Sequence, residues 1–307
     1  MRALIIYWSA SGTTRVVAQN IASGLESAGA DVVMHDLAKS DPPDLRTADI
    51  IGLGCPVHYF RMAAPMAEAA RALDGLEGRS AFAFVLHGTY RGAALNRARA
   101  ALRRAGAREI GVFSCRGDDR FLGYTRRGYE FSPDRPSGED LERARRFGAG
   151  LVSAHFSALA GAPPLLPPKD RSPGWVYTVE RLVLEQQLVH AVYSRFMRAA
   201  ARLCTRCGRC ARVCPTANIR WVKGEVPSWG RECILCLSCA ETCPEDAVRS
   251  PLDWPVFSPF LDYNVRHAAH DPGIDYARVR HVRGRLERIA EMNRLSPVGG
   301  DEDDHVG

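Results

Sequence analysis

The chain has 307 residues, 46% of them apolar, and a formal net charge of +6 at pH 7. That length suits about two domains of ~150 residues with packed cores. No uncharged apolar run reaches 18 residues, which excludes a membrane-spanning helix, and the start lacks the zones of a signal peptide, so the expected location is the cytoplasm. Ten cysteines in a chain of this length without an export signal point to metal or redox chemistry rather than a disulfide scaffold. The positive charge is nearly all arginine and is scattered through every segment, whereas a nucleic-acid surface would concentrate it on one face; no nucleic-acid partner is expected.

The first 155 residues alternate short apolar runs with longer helical patterns, as in a parallel sheet covered by helices on both faces. Strands are expected at Ala3–Trp8, Asp31–His35, Ile50–Leu53, Ala81–Leu86 and Glu109–Phe113, and helices at Thr14–Ala28, Ala64–Leu73, Ala93–Ala105 and Glu139–His155. Five strands and these helices make a doubly wound domain over residues 1–158. Residues Gly161–Gly174 hold five prolines, which cannot continue a helix, and mark a boundary within a linker and helix at 159–201. Val179–Arg202 has helical length. From Pro251 the chain turns polar; a helix is expected from Asp275 to Leu295, and the acidic Asp301–Asp304 reads as a disordered tail.

Between these regions lies a repeat. Shifting Cys204, Cys207, Cys210, Cys214, Pro215 and Ile219 by 29 positions gives Cys233, Cys236, Cys239, Cys243, Pro244 and Val248. Each half reads C-x2-C-x2-C-x3-C-P, the run of two-cluster iron–sulfur proteins, in which three cysteines hold one cube and the fourth ligates the other. The expected ligands are Cys204, Cys207, Cys210 and Cys243 for one 4Fe-4S cluster, and Cys233, Cys236, Cys239 and Cys214 for the second. Structural zinc is the competing reading, but four thiols within eleven residues, twice, exceed what one tetrahedral ion uses. Purely structural clusters are the other alternative. Residues Arg202–Arg249, treated as a domain over 202–250, resemble the bacterial two-cluster ferredoxins at every ligand position. They depart from that usually acidic family in carrying Arg206, Arg209, Arg212 and Arg220.

After the first strand comes Ser9-Ala10-Ser11-Gly12-Thr13-Thr14 and then a helix. Hydroxyls, backbone amides and a helix N-terminus converge there into a phosphate cradle. It lacks the glycine–lysine pair of a P-loop and the three glycines of a dinucleotide fingerprint, so direct use of a nicotinamide cofactor is disfavoured. Ser9 could also be a simple helix cap. This loop is similar to the T-x-T-G-x-T loop of flavodoxins, with Ser9, Ser11, Gly12 and Thr14 at matching places. That resemblance implies FMN, bound where strand order reverses. It places Pro56, Val57, His58, Tyr59 and Phe60 after the third strand on one side of the flavin, and Gly88, Thr89 and Tyr90 after the fourth on the other, with His58, Tyr59, Phe60 and Tyr90 as candidate stacking groups. Cys55 and Cys115 read as small buried residues, with a reactive thiol as the alternative. Cys115–Tyr124 reads as a solvated loop rather than a pocket rim.

A flavodoxin-like domain joined to a two-cluster ferredoxin resembles the flavodoxin–ferredoxin fusion oxidoreductases, with residues 251–307 outside the likeness. The resemblance implies an electron-transfer oxidoreductase that relays electrons between FMN and two 4Fe-4S clusters and works with a redox partner protein. The alternatives are a carrier whose flavodoxin-like domain only docks a partner enzyme, and a reductase of a quinone, aromatic or tetrapyrrole small molecule.

Overall fold

The computed structural model describes residues 1–40, 42–161, 178, 179, 182, 185, 188, 191–282, 285–289, 305 and 306. The chain divides into two units: Met1–Asp118 with Asp134–Ser172 and Gly299–Gly307, and Asp119–Pro133 with Pro173–Val298.

In the first unit, β1 (Arg2–Tyr7) is buried from its second residue onward, as a central parallel strand must be when both faces are covered. It leads into α1 (Thr13–Ser27), whose Val17, Ile21 and Leu25 form one fully buried face. There follow β2 (Asp31–Asp36), β3 (Ile50–His58), the short β4 (Arg61–Met62), α2 (Ala64–Arg71), β5 (Ser80–His87), α3 (Ala94–Arg104) and β6 (Arg108–Arg116). The parallel strands lie in the order β2-β1-β3-β5-β6. The order reverses between β1 and β3, which is where ligands of doubly wound sheets sit. The main strands and helices expected from hydrophobic periodicity all form, with β3 and β6 running several residues further.

After Asp118 the chain leaves this unit to make α4 (Leu122–Thr125) and β7 (Tyr129–Phe131), then returns as α5 (Gly138–Leu159). Ser137 and Asp140 form a reciprocal capping box that starts α5. Helix α5 packs on α1 so closely that a Cβ on Gly24 would strike the Arg145 carbonyl oxygen and one on Gly148 the Ile21 carbonyl oxygen.

In the second unit, β8 (Arg198–Ala199), α6 (Arg209–Arg212), β9 (Ile219–Arg220), β10 (Ser228–Trp229), α7 (Ser238–Glu241) and β11 (Val248–Arg249) surround the cysteines. Strand β8 pairs antiparallel with β11 and β9 with β10. Then come α8 (Ser258–His270), β12 (Tyr276–Val282) and β13 (Arg285–Arg288). Strand β12 pairs with β13 on one edge and with β7 on the other, so the excursion after Asp118 is stitched to the C-terminal region. Glu130 of β7 is buried and bridges to Arg120 at 3.1 Å and Arg288 at 2.8 Å, while the Arg278 guanidinium stacks 4.1 Å from the centre of the Tyr129 ring.

Three expectations are corrected. Asp275–Leu295 is not a helix where it is described: Ala277 and Val279 are buried while Arg278 and Arg280 are exposed, the two-residue period of a half-buried strand. Cys115–Tyr124 is not a solvated loop, because Cys115, Leu122 and Tyr124 are buried, with Phe121, Tyr124 and Phe131 packed edge to face. The expected helix Val179–Arg202 does not reach Arg202, since Tyr193–Phe196 is a 3-10 turn followed by β8; most of its earlier part, like Ala162–Gly174 of the linker, lies outside the described residues. Asp301–Asp304 also lies outside them, and His305–Val306 (β14) pairs antiparallel with β6.

Candidate cofactor sites

At the carboxyl ends of β1, β3 and β5 three loops meet. The Trp8 amide donates to the Gly54 carbonyl at 3.0 Å, and the Trp8 and His58 rings pack edge to face at 5.4 Å. The Ala93 amide donates to the Phe60 carbonyl at 2.9 Å, tying the loop after β3 to the loop after β5.

The first loop has the properties of an anion cradle. Gly12 stands at φ +91° as the N-cap of α1 without a side-chain cap, and the first turn of the helix has no acid. Ser11 and Thr13 hydroxyls lie 2.9 Å apart, Thr14 is buried, and the Ser9 hydroxyl is buried with no hydrogen-bond partner. A buried orphan hydroxyl beside uncapped helix amides costs free energy unless a ligand satisfies it. A Cβ at Gly12 would meet Arg15 Nη2 at 3.5 Å. Arg15 therefore adds a cation that the motif alone had not disclosed.

Tyr59 and Phe60 both have positive φ, 50° and 61°, and form the two-residue turn between β3 and β4, in which Val57 faces Met62 and His58 faces Arg61. That is the backbone of a type I′ turn, which normally takes glycine or asparagine. Phe60 turns inward and is buried, whereas Tyr59 stays half-exposed with Pro56 and Val57. Burial pushes the His58 pKa down to about 4, so its ring is neutral at physiological pH.

Opposite, Arg116 donates to the Gly88 carbonyl at 2.8 Å and the Thr89 carbonyl at 2.9 Å, Thr89 is buried, and Tyr90 is half-exposed. Buried Arg91 donates to the Ser114 hydroxyl at 3.2 Å. Burial, then the neighbouring Arg116 and Arg91, holds His87 neutral, far below its usual pKa. Arg91 was invisible to motif reading, since an isolated arginine in an arginine-rich chain carries no pattern, and Arg116 stood out only as part of the Cys115–Tyr124 segment, where a pocket rim was the alternative to a solvated loop. Cys55 is fully packed and burial pushes its thiol up to about 12, which makes it an inert core residue.

The cysteine repeat is a repeat of backbone as well as of sequence. Arg206, Gly208 and Ala217 have φ of 58°, 69° and 51°; Leu235, Leu237 and Asp246, 29 positions on, have 52°, 59° and 44°. Such left-handed residues turn successive amides toward one concavity, a nest suited to an anionic iron–sulfur core. The Cys214 sulfur accepts from the Asn218 amide at 3.3 Å, and the Cys243 sulfur from the Ala247 amide at 3.2 Å, again 29 apart. Ile219 and Val248 are buried.

Burial raises the Cys210 thiol, and the sulfurs of Cys243, Cys204 and Cys207 bear on it as well. Burial pushes Cys233 up to about 11, with Cys236 and Cys214 as neighbours, and Cys239 up to about 12. Cys207 is exposed, and the Arg209 amide bonded to its sulfur lowers it. Eight thiols in two sets of four, each set within eleven residues, exceed what a single tetrahedral ion uses, a donor set that suits clusters better than zinc.

Residues 4–126 match the flavodoxin domain family and residues 196–244 the 4Fe-4S dicluster domain family. A flavodoxin from Megasphaera elsdenii is 38% identical over 52 residues, 17% of this chain, and the chain spans 38% of that protein's length. Among solved structures, an archaeal flavodoxin is 20% identical (51% of this chain, 99% of that one, TM-score 0.38), and oxidised Flavodoxin 1 from Bacillus cereus is 21% identical (50% and 98%, TM-score 0.40). The domain matches and the strand order carry the assignment: the chain is a fusion of an N-terminal flavodoxin domain with a C-terminal 4Fe-4S dicluster domain, two domain types of electron transfer.

Proposed function

We propose that the protein relays electrons between FMN in its first unit and two 4Fe-4S clusters in its second. When bound, FMN exchanges electrons singly or in pairs and each cluster one at a time, so a chain holding both adapts a two-electron process to a one-electron one. Ser9, Ser11, Gly12, Thr13 and Thr14 would hold the FMN phosphate, with Arg15 adding charge. The loops at Pro56–Phe60 and Gly88–Tyr90 would flank the flavin, with half-exposed Tyr59 and Tyr90 as its aromatic faces. His58 and His87, both neutral, add no charge of their own to that cleft. The two cysteine nests would hold the clusters with crossed ligation.

The observation that carries this reading is the coexistence, in one chain, of an anion cradle with an unsatisfied buried hydroxyl and two backbone-matched four-thiol sets. The same cradle argues against a docking-only domain, which would have no use for an orphan Ser9 hydroxyl. The test is anaerobic purification with iron, sulfide and released flavin measured on one sample, followed by photoreduction monitored at flavin and cluster wavelengths. About eight irons and one FMN per chain, with cluster reduction following flavin reduction, is the expected result. Eight irons without flavin, even after FMN is added, would leave the docking alternative.

A further inference from the structure

The two halves of the cysteine repeat share a backbone but not a charge. Arg202 through Lys223 carries six cations and no acid; the equivalent stretch 29 positions on, Arg231 through Leu252, carries two arginines and four acids. All six cations of the first half are exposed. Arg202, Arg206, Arg209, Arg220 and Lys223 form no ion pair among the described residues, while Arg212 donates to the Cys207 carbonyl at 3.2 Å.

These cations are gathered round one spot. The Trp221 indole N–H donates to the Arg206 carbonyl at 3.0 Å and its ring lies against Gly208, which draws Arg220 and Lys223 to the loop holding Cys207. Cys207 is exposed, whereas its counterpart in the second half, Cys236, is only partly so. Leu203, Val213 and Val222 are also exposed, at 47%, 38% and 44%. Apolar groups ringed by unpaired cations around a redox ligand have the make-up of a transient electron-transfer interface, small and steered by charge.

We infer that the Cys204–Cys214 face is the port through which the chain exchanges electrons with a small acidic carrier protein. The inference rests on the relay reading and names the partner chemistry at one end of it. The step is a single electron passing between the carrier and the first cluster; one is oxidised as the other is reduced, and no bond or proton moves. Anionic lipid and nucleic acid also favour cations, but either would cover Cys207 without accepting an electron.

The test uses the loaded full chain with a net-negative bacterial two-cluster ferredoxin as probe, read by binding titration and by stopped-flow reduction. Wild-type binding and rate should fall steeply with added salt. The R206E/R209E/R220E variant, at unchanged iron content, should bind and react at least about tenfold more weakly at low salt, with the salt dependence flattened or inverted. R71E/R108E/R146E, an equal charge change on exposed residues of the other unit, should stay close to wild type in its dependence on the port. Equal losses in both triple variants, or a wild type that binds a net-positive carrier better, would overturn the proposal. So would loss of binding to anionic phospholipid vesicles or to polyuridylate RNA in R206E/R209E/R220E with carrier kinetics unchanged. Photoreduction within the chain is scored separately: its failure with port kinetics intact would sink the relay and not the port.

Discussion

The proposed crossed ligation makes the sharpest prediction about the cysteines. The sulfurs of Cys243, Cys204 and Cys207 bear on Cys210, and those of Cys236 and Cys214 on Cys233, which is what ligation of each cube by the fourth cysteine of the other run would require. With four thiols per cube, removing one fourth-position cysteine should take away the cluster of the opposite run, and iron should fall from about eight to about four per chain. Cys214→Ala is expected to lose the buried second cluster and to keep the one beside the exposed Cys207; Cys243→Ala should do the reverse. Iron and sulfide analysis gives the count. Paramagnetic resonance of the reduced protein gives the identity, because the surviving cluster next to Cys207 should be accessible to a paramagnetic relaxing agent in Cys214→Ala and shielded in Cys243→Ala. If Cys214→Ala retained only a shielded cluster, ligation would run within each half and the reasoning would be wrong. The stability change reports on the same point: burial raises Cys233 to about 11 and Cys239 to about 12, so without iron these thiols stay protonated in an apolar pocket.

Gly12→Val should lower FMN content at unchanged iron, because φ +91° is strained for a branched residue and its side chain would crowd Arg15; equal flavin occupancy would refute the cradle. Gly148→Ala should destabilise by roughly 1–3 kcal/mol or more in urea denaturation, since its methyl group must push α5 off the Ile21 carbonyl, while Gly138→Ala, with open space around it, should be near neutral. Equal midpoints for the two would discount that contact. His58 has a folded pKa of about 4 against an ordinary 6.5. The unfolded chain therefore binds the proton more readily, and stability is full above about 6.5 and is lost as pH falls toward 4. An NMR titration of His58 with its midpoint near 6.5 would show that water reaches the ring.

What was legible in the sequence followed from unambiguous local patterns. Ala3–Trp8 is apolar without a break, so it had to be covered on both faces, and Val17, Ile21 and Leu25 recur at helical spacing. The cysteine spacing repeats after 29 residues, and the left-handed backbone positions repeat with it. The hairpin of β12 and β13 was misread because its strands are rich in arginine, whose helical propensity masked the alternation of Ala277 and Val279. Phe121–Phe131 was missed for a different reason: its apolar residues are buried by partners more than a hundred positions away, such as Tyr276, which no local window contains. In the cleft, the glycine and hydroxyl positions were readable. The supporting arginines were not, because their role depends on which carbonyls the sheet brings within reach.

The pairing of β7 with β12 bears on how such a fusion can be taken apart. A chain cut in the proline-rich stretch would leave Tyr129–Phe131 on the N-terminal fragment, with Glu130 deprived of Arg288 and the edge of β7 bare. The C-terminal fragment would in turn expose one side of β12. Expression of either half alone should therefore yield a sticky, truncated fold, and a severable version would need residues 119–133 replaced by a short loop in one fragment and supplied in trans, or by circular permutation, to the other. The join is thus a splice of one domain into another's sheet, and gene fission at the linker would be a lossy reversal of it.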